Sequence, residues 1–303
     1  MEEVTVPVID LLNLPAESGK LLAACEGLGC FRVVNHRIPT ELQREMKAAV
    51  RSLFDLPDDV KKLNSDIIAG SGYVGPTKEN PLYEAFGLYD AADAADVEAF
   101  CSRLHASPRQ RETIKTYALK LHELMVDIAC KLADSLGLVD YSFKDWPCQF
   151  RLNKYNFTEE TAGSSGVQLH TDSGFLTVLQ EDESVGGLEV MDSSGTFVAV
   201  NPLPGSFLIN LGDVAKAWSN GRVHNIKHRV QCKEATPRVS IALFLLSPKD
   251  GKVEPPPALV DSDHPRLYQT FTYVDYRKLR LSSGSRAGET LNLLATNQAP
   301  TIA

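Results

Sequence analysis

The sequence predicts a mixed α/β chain that is mainly β, with a helical N-terminal region followed by a sandwich or barrel of short strands. Two observations carry this. From Cys148 onward the chain passes through short β-rich runs, FRLNKY, VQLHTD, FLTVLQ, GLEVM, FVAV, SFLINL, HRVQC and RVSIALFLL, separated by Gly, Asp, Asn, Ser and Pro. Many short strands at that spacing close into a sandwich or barrel. Before Cys148 the texture is helical, and its clearest member has Ser107 as N-cap, Pro108 in the first turn and a stop at Gly137. Its residues Ile114, Ala118, Leu121, Met125, Ile128, Leu132 and Leu136 recur on one face.

The remaining elements follow in order. Thr5 to Asp10 reads as a short strand, Ser18 to Leu28 as a helix, and CFRVVN (Cys30 to Asn35) as a buried strand. Thr40-Glu41-Leu42-Gln43 has the form of a capping box, and Leu42, Met46, Ala49, Val50 and Leu53 share a face before Pro57 ends the run. Between Asn64 and Leu104, Gly, Pro and aromatic residues show no sustained period, which predicts a long functional loop. Pro255-Pro256-Pro257 is a stiff connector, and no repeat is visible.

Bulk properties narrow the function. With 303 residues, 43% hydrophobic and 23% charged, the chain can bury a core large enough to tolerate a polar cavity without disulfide staples. Six scattered cysteines with no CxxC pair point to a reducing compartment. A net charge of -8 with no block of like charges argues against nucleic acid as a partner. The N-terminus has no basic, apolar leader, and no uncharged apolar run approaches the ~20 residues of a membrane span. A cytoplasmic protein with a small-molecule substrate and no membrane partner is the expectation, with the oligomeric state left open.

The chemistry is concentrated in the β-rich half. In VQLHTD, His170 and Asp172 are two positions apart, and on a strand alternate side chains share a face. His228, in NIKHRVQC, follows far enough on for the chain to cross a sheet and return. Two imidazoles and one carboxylate form a facial triad that leaves open positions on a six-coordinate metal, the pattern of non-haem Fe(II) oxygenases. Each residue alone is weak evidence, and a zinc hydrolase can also use two His and one Asp. Ten residues past His228, Arg238-Val239-Ser240 places a guanidinium and a hydroxyl on one face of the next strand. Such a pair suits the distal carboxylate of 2-oxoglutarate, and Tyr155 is a candidate for a further phenolic bond to it.

These motifs resemble a family. LNKYNF with HTDSGFLTVL, PGSFLINLGD, WSNGRVHNIKHRV and RVSIALFLL is similar to the double-stranded β-helix (jelly-roll) core of the plant 2-oxoglutarate and Fe(II)-dependent dioxygenases. VPVIDL, GCFRVVNHRIP and LFDLP resemble that family's helical N-terminal region, so nearly the whole chain is spanned. The resemblance implies three parts: a helical region over 1–145 packed on the core, a dioxygenase jelly roll over 146–250, and a C-terminal segment over 251–303 that completes and covers it. It assigns iron to His170, Asp172 and His228, with no catalytic residue beyond the metal site. The 2-oxoglutarate falls to Arg238, Ser240, Tyr155 and Asn153. It also implies O2 as co-substrate and ascorbate as a supporting reductant, and the retained Asp172 favours oxygen insertion over halogenation. Arg37 and Val223-His224-Asn225 depart from the family's usual residues without touching a ligand.

NPLYEAFGLYD, WPCQFRLNKYNF and HRVQCKEATPR resemble the members of that family that oxidise indole-3-acetic acid, the plant hormone auxin, or its amino-acid conjugates. The expected product is the 2-oxindole. Tyr73, Phe86, Phe175 and Phe244 are the candidate walls for the ring, and Arg222 and His224 the candidate partners for the carboxylate. The alternatives are the same chemistry on a gibberellin or a flavonoid, and a catalytically dead ligand-binding protein.

Overall fold

The computed structural model describes residues 5–68, 70–78, 80–248 and 251–296. The N-terminal region contains strand β1 (Val8–Asp10), helix α1 (Leu14–Glu26), β2 (Cys30–Val34), α2 (Thr40–Phe54), the single turn α3 (Asp58–Lys61), β3 (Tyr83–Tyr89), α4 (Ala94–Arg103) and α5 (Pro108–Ser135). The β-rich half follows as β4 (Cys148–Tyr155), β5 (Ser165–His170), β6 (Leu176–Gln180), β7 (Leu188–Met191), β8 (Phe197–Ala199), β9 (Phe207–Leu211), α6 (Asp213–Trp218), β10 (His228–Gln231) and β11 (Arg238–Leu245). The C-terminal segment adds β12 (Lys252–Val253), β13 (Phe271–Thr272), α7 (Tyr273–Ser283) and α8 (Glu289–Asn292).

Two sheets build the jelly roll. The larger runs β1-β2-β9-β6-β11-β4-β3 and the smaller β5-β10-β7-β8, all antiparallel except the β1–β2 pair. Strand alternation divides the larger sheet's faces by chemistry. On β11, Val239, Ile241, Leu243 and Leu245 join the main core with α5, whereas Arg238, Ser240, Ala242 and Phe244 line a cavity between the sheets. On β4, Cys148, Phe150 and Leu152 join that core, whereas Gln149, Arg151, Asn153 and Tyr155 line the cavity.

Helix α5 is the backing plate. Ser107 Oγ accepts from Gln110 N at 3.3 Å and Gln110 Oε1 accepts from Ser107 N at 2.7 Å, a closed capping box. Its buried Ile114, Leu121, Met125, Ile128 and Leu132 each contribute about 2 kcal/mol of burial, and Leu121→Ala should cost about 3 kcal/mol through the cavity it leaves.

Four expectations change. Helix α1 begins at Leu14, earlier than Ser18, with Pro15 at its start. Thr40 is the first residue of α2 and makes no capping bond; Pro39 holds the cap position. The stretch from Asn64 to Leu104 is not a loop throughout, because β3 and α4 lie within it. Strand β3 is buried on both faces, with only Tyr83 partly open, so it lacks the alternation that marks a half-exposed strand. The N-terminal region is therefore not only helical: it supplies β1, β2 and β3 to the larger sheet.

Candidate active site

The cavity has a volume of about 280 Å³ and lies between the two sheets. His170 closes β5 and His228 opens β10, and the register pairs them directly. Their rings are 4.2 Å apart between centroids. Asp172 is not on the strand with His170, as simple alternation required. The ladder ends at His170, and Thr171 N turns to donate to Arg286 O at 2.9 Å. The turn is then fixed from three sides: Asp213 N donates to Asp172 O at 2.8 Å, Thr177 Oγ1 donates to Asp172 Oδ2 at 2.5 Å, and Arg280 Nη2 donates to Thr171 O at 2.9 Å.

The three ligand atoms converge, all within 4.8 Å of one another. Asp172 Oδ1 is 3.8 Å from His170 Nε2 and 3.7 Å from His228 Nε2. His170 Nδ1 is 2.8 Å from Gln168 O and His228 Nδ1 is 3.2 Å from Ile226 O. A carbonyl accepts only from a protonated nitrogen, so both rings carry their proton on Nδ1 and turn an Nε2 lone pair to the centre. Enclosure between the sheets, and then the facing His228, lower His170 to about 4, which keeps its imidazole neutral. Two imidazoles that present Nε2 and a carboxylate with a second-sphere hydrogen bond form a donor set that fits a divalent iron.

The second pole of the cavity is Arg238. On β11 it stands opposite Tyr155 of β4, and Ser240 stands opposite Asn153. Its side chain is 2% exposed, its guanidinium lies 5.2 Å from the Tyr155 ring, and its Nε has no hydrogen-bond partner among the described residues. An unmatched donor buried on a cation is costly to leave, and a ligand carboxylate would satisfy it. Asn153 Nδ2 donates to Ser240 Oγ at 3.4 Å, and Tyr83 donates to Asn153 Oδ1 at 2.8 Å. Burial raises the Tyr155 phenol to about 12, against the pull of Arg238, so it is a neutral hydroxyl. The constellation fits a dicarboxylate that spans from Arg238 to the metal.

The expected substrate walls are only partly at the cavity. Phe244 lines it. Phe86 is fully buried against Phe54, Tyr73 and Phe100, and Phe175 against Phe143, Trp146 and Trp218, so both belong to the core. Tyr73 packs on Phe86 and donates to Glu84 Oε1 at 2.6 Å, away from the cavity lining. Arg222 reaches Glu26 at 3.5 Å on the surface, the His224 amide is tied to Cys25 O, and neither residue is among those that line the cavity. The lining includes cations that sequence reading missed: Arg151, Arg277 and Arg280. Arg151 was detectable, since it shares a face of β4 with Asn153 and Tyr155. Arg277 and Arg280 depend on how α7 folds back.

A fold of two facing sheets, a convergent His-Asp-His set and a buried arginine at the far end define a non-haem iron, 2-oxoglutarate-dependent oxygenase. Models of two families match in keeping with this: the 2OG-Fe(II) oxygenase superfamily over residues 146–247, and the non-haem dioxygenase in morphine synthesis N-terminal region over residues 6–108. The chain belongs to the 2OG-Fe(II) oxygenase superfamily and is a 2-oxoglutarate-dependent dioxygenase. It is 63% identical over 298 residues to 2-oxoglutarate-dependent dioxygenase DAO of Oryza sativa subsp. indica, covering 96% of this chain and 99% of that one. The crystal structure of the dioxygenase for auxin oxidation in rice superposes with a TM-score of 0.90 at 63% identity, covering 96% of this chain and all of the other. The 2-oxoglutarate complex of the dioxygenase for auxin oxidation 1 from Arabidopsis thaliana gives 0.84 at 55% identity, covering 86% of this chain and 100% of that one.

Proposed function

We propose that this enzyme oxidises indole-3-acetic acid, or its amino-acid conjugates, to the 2-oxindole, consuming 2-oxoglutarate and O2. The observation that carries the reading is the likeness to the rice auxin-oxidising enzyme along 96% of the chain, with the complete metal triad in place. His170, Asp172 and His228 would hold the iron. Arg238, Ser240, Tyr155 and Asn153 would hold the co-substrate, and Phe244 would face the indole. Bound together, iron and 2-oxoglutarate supply the oxygen activation. The chain's own residues then do three things: fix the two Nδ1 protons, hold Asp172 through Thr177, and seat a dicarboxylate on Arg238.

We assign residues 146–250 to the catalytic jelly roll, 1–145 to its backing, and 251–303 to its cover, since α7 brings Tyr273, Arg277 and Arg280 to the cavity. Residues 297–303 of that segment lie outside the described residues. Among the described residues no helix is long and apolar enough to cross a membrane. Six free cysteines fit a reducing compartment such as the cytoplasm.

The test is succinate release by anaerobically iron-loaded protein given oxygen, 2-oxoglutarate and ascorbate, with and without indole-3-acetic acid. The expected result is a substrate-dependent burst with a gain of one oxygen mass on the indole. Succinate stimulated only by other acids would keep the iron chemistry and discard auxin, and none under any condition would indicate a binding protein.

A further inference from the structure

We propose that Arg151 is the specificity-determining residue that recognises the carboxylate of the substrate in the cavity, so that this enzyme selects an arylalkanoic acid over its neutral analogues. The proposal rests on the auxin reading above and adds to it the group that reads the acid.

Charge balance points there first. Among the described residues the cavity is lined by Arg151, Arg238, Arg277 and Arg280 against a single carboxylate, Asp172. Arg280 is matched by the buried Asp213, which lies outside the lining. A ferrous ion, Asp172 and a dianionic co-substrate together leave one negative charge, which Arg238 offsets. Among the described residues Arg151 then remains as positive charge at the cavity with no carboxylate beside it, and an anionic substrate is the ligand that relieves it.

The backbone is cut away around Arg151 in particular. In the register of the larger sheet it lies between Ala242 on β11 and Gly87 on β3, so neither neighbour crowds its guanidinium. A Cβ at Gly87 would sit 1.8 Å from Ser71 O and 2.8 Å from Arg151 Nη1, so the glycine is what lets the 71–72 backbone and this side chain coexist. Arg151 Nη1 donates to Gly72 O at 2.6 Å, which fixes the fork. A guanidinium has five N–H donors, so that bond leaves others for a ligand. Among the described residues no carboxylate lies within ion-pair distance of Arg151. Arg277 approaches the same stretch from α7, since a Cβ at Gly70 would be 3.2 Å from its Nη2. Two guanidiniums therefore flank residues 70–72 at the cavity, and Ala242, the β11 residue opposite Arg151, lies two residues from the apolar Phe244 on one side and two from Ser240, then Arg238, on the other.

The competing role is mechanical: Arg151 could simply brace residues 70–72. Chemistry separates the two. Indole-3-acetic acid and indole-3-acetamide share ring and shape and differ in charge, so kcat/KM for each is measured with wild type, Arg151→Gln and Arg151→Lys, iron-loaded and saturated with 2-oxoglutarate. The expected result is an acid-over-amide preference in wild type that falls about 30-fold in Arg151→Gln, the loss of a charge-assisted bond, with partial recovery in Arg151→Lys. Equal losses on acid and amide, leaving the ratio unchanged, would overturn the proposal in favour of bracing. If wild type oxidises neither compound, the auxin reading fails. Anaerobic binding of phenylacetate and phenylacetamide to the 2-oxoglutarate-loaded protein then decides the carboxylate site separately. An acid preference lost in Arg151→Gln supports it, and an equal or undetectable affinity for the two overturns it.

Discussion

Arg280→Met should lower stability and iron affinity together, because one side chain ties the C-terminal helix to the ligand turn. Arg280 is ion-paired with Asp213, which is fully buried, and it donates to Thr171 O at 2.9 Å and Thr171 Oγ1 at 3.1 Å. Thr171 sits between the two ligands His170 and Asp172, and Asp213 N holds Asp172 O at 2.8 Å. Removing one partner of a buried pair costs about 3 to 5 kcal/mol. Tyr276 Oη and Asn225 Nδ2, each at 2.7 Å, still donate to Asp213, which places the cost near the lower end. About 3 kcal/mol corresponds to a fall of roughly 5 °C in Tm for a chain of this size. Groups that orient metal ligands typically change affinity by about 10- to 100-fold. Thermal unfolding of the metal-free protein gives the first quantity, and competition for Fe(II) against a chromophoric chelator gives the second. Arg280→Lys keeps the charge on Asp213 but not the fork onto Thr171, so it should recover more stability than iron affinity. A variant with the expected Tm loss and an iron affinity within twofold of wild type would refute the coupling between latch and ligand turn.

Three further outcomes follow from the same geometry. His228→Ala removes one of three ligand atoms, and both bound iron and succinate release should fall to background; near-normal activity would sink the metal assignment. Arg238→Ala should weaken 2-oxoglutarate by about 100-fold, the value of one or two charge-assisted bonds, while leaving iron binding intact, as read by calorimetry with the metal in place. Asp182 is pushed up by burial, but Lys47 at 2.9 Å and the amides of Val239 and Ser184 overcome this and hold it below the usual carboxylate range. A depressed carboxylate stabilises the fold above its unfolded pKa of about 3.9, and that contribution disappears as pH falls through the folded value. The stability gap between wild type and Asp182→Asn should therefore be full at neutral pH and close below about pH 4, as measured by urea unfolding across pH; a pH-independent gap would contradict it.

The sequence by itself determined most of the chemistry and the major elements. Helical periodicity placed α5, with Ser107 at its N-cap, and the short runs after Cys148 each became a strand because alternation and turn residues are local signals. The pairs His170/Asp172 and Arg238/Ser240 were legible because two-residue spacing is short enough to read without knowing the fold, although the turn after β5, not the strand, aims Asp172. Tertiary structure decided the rest. Whether an aromatic is core or cavity depends on what packs on it, and so Phe86 and Phe175 went to the core while Phe244 stayed at the site. The buried strand β3 shows no alternation because both its faces are covered. Strand alternation could have put Arg151 on the cavity face with Asn153 and Tyr155, but Arg277 and Arg280 join it there only because α7 returns to latch on Asp213. Those contacts join residues far apart in the chain, and no local pattern encodes a distance that only the closed fold creates.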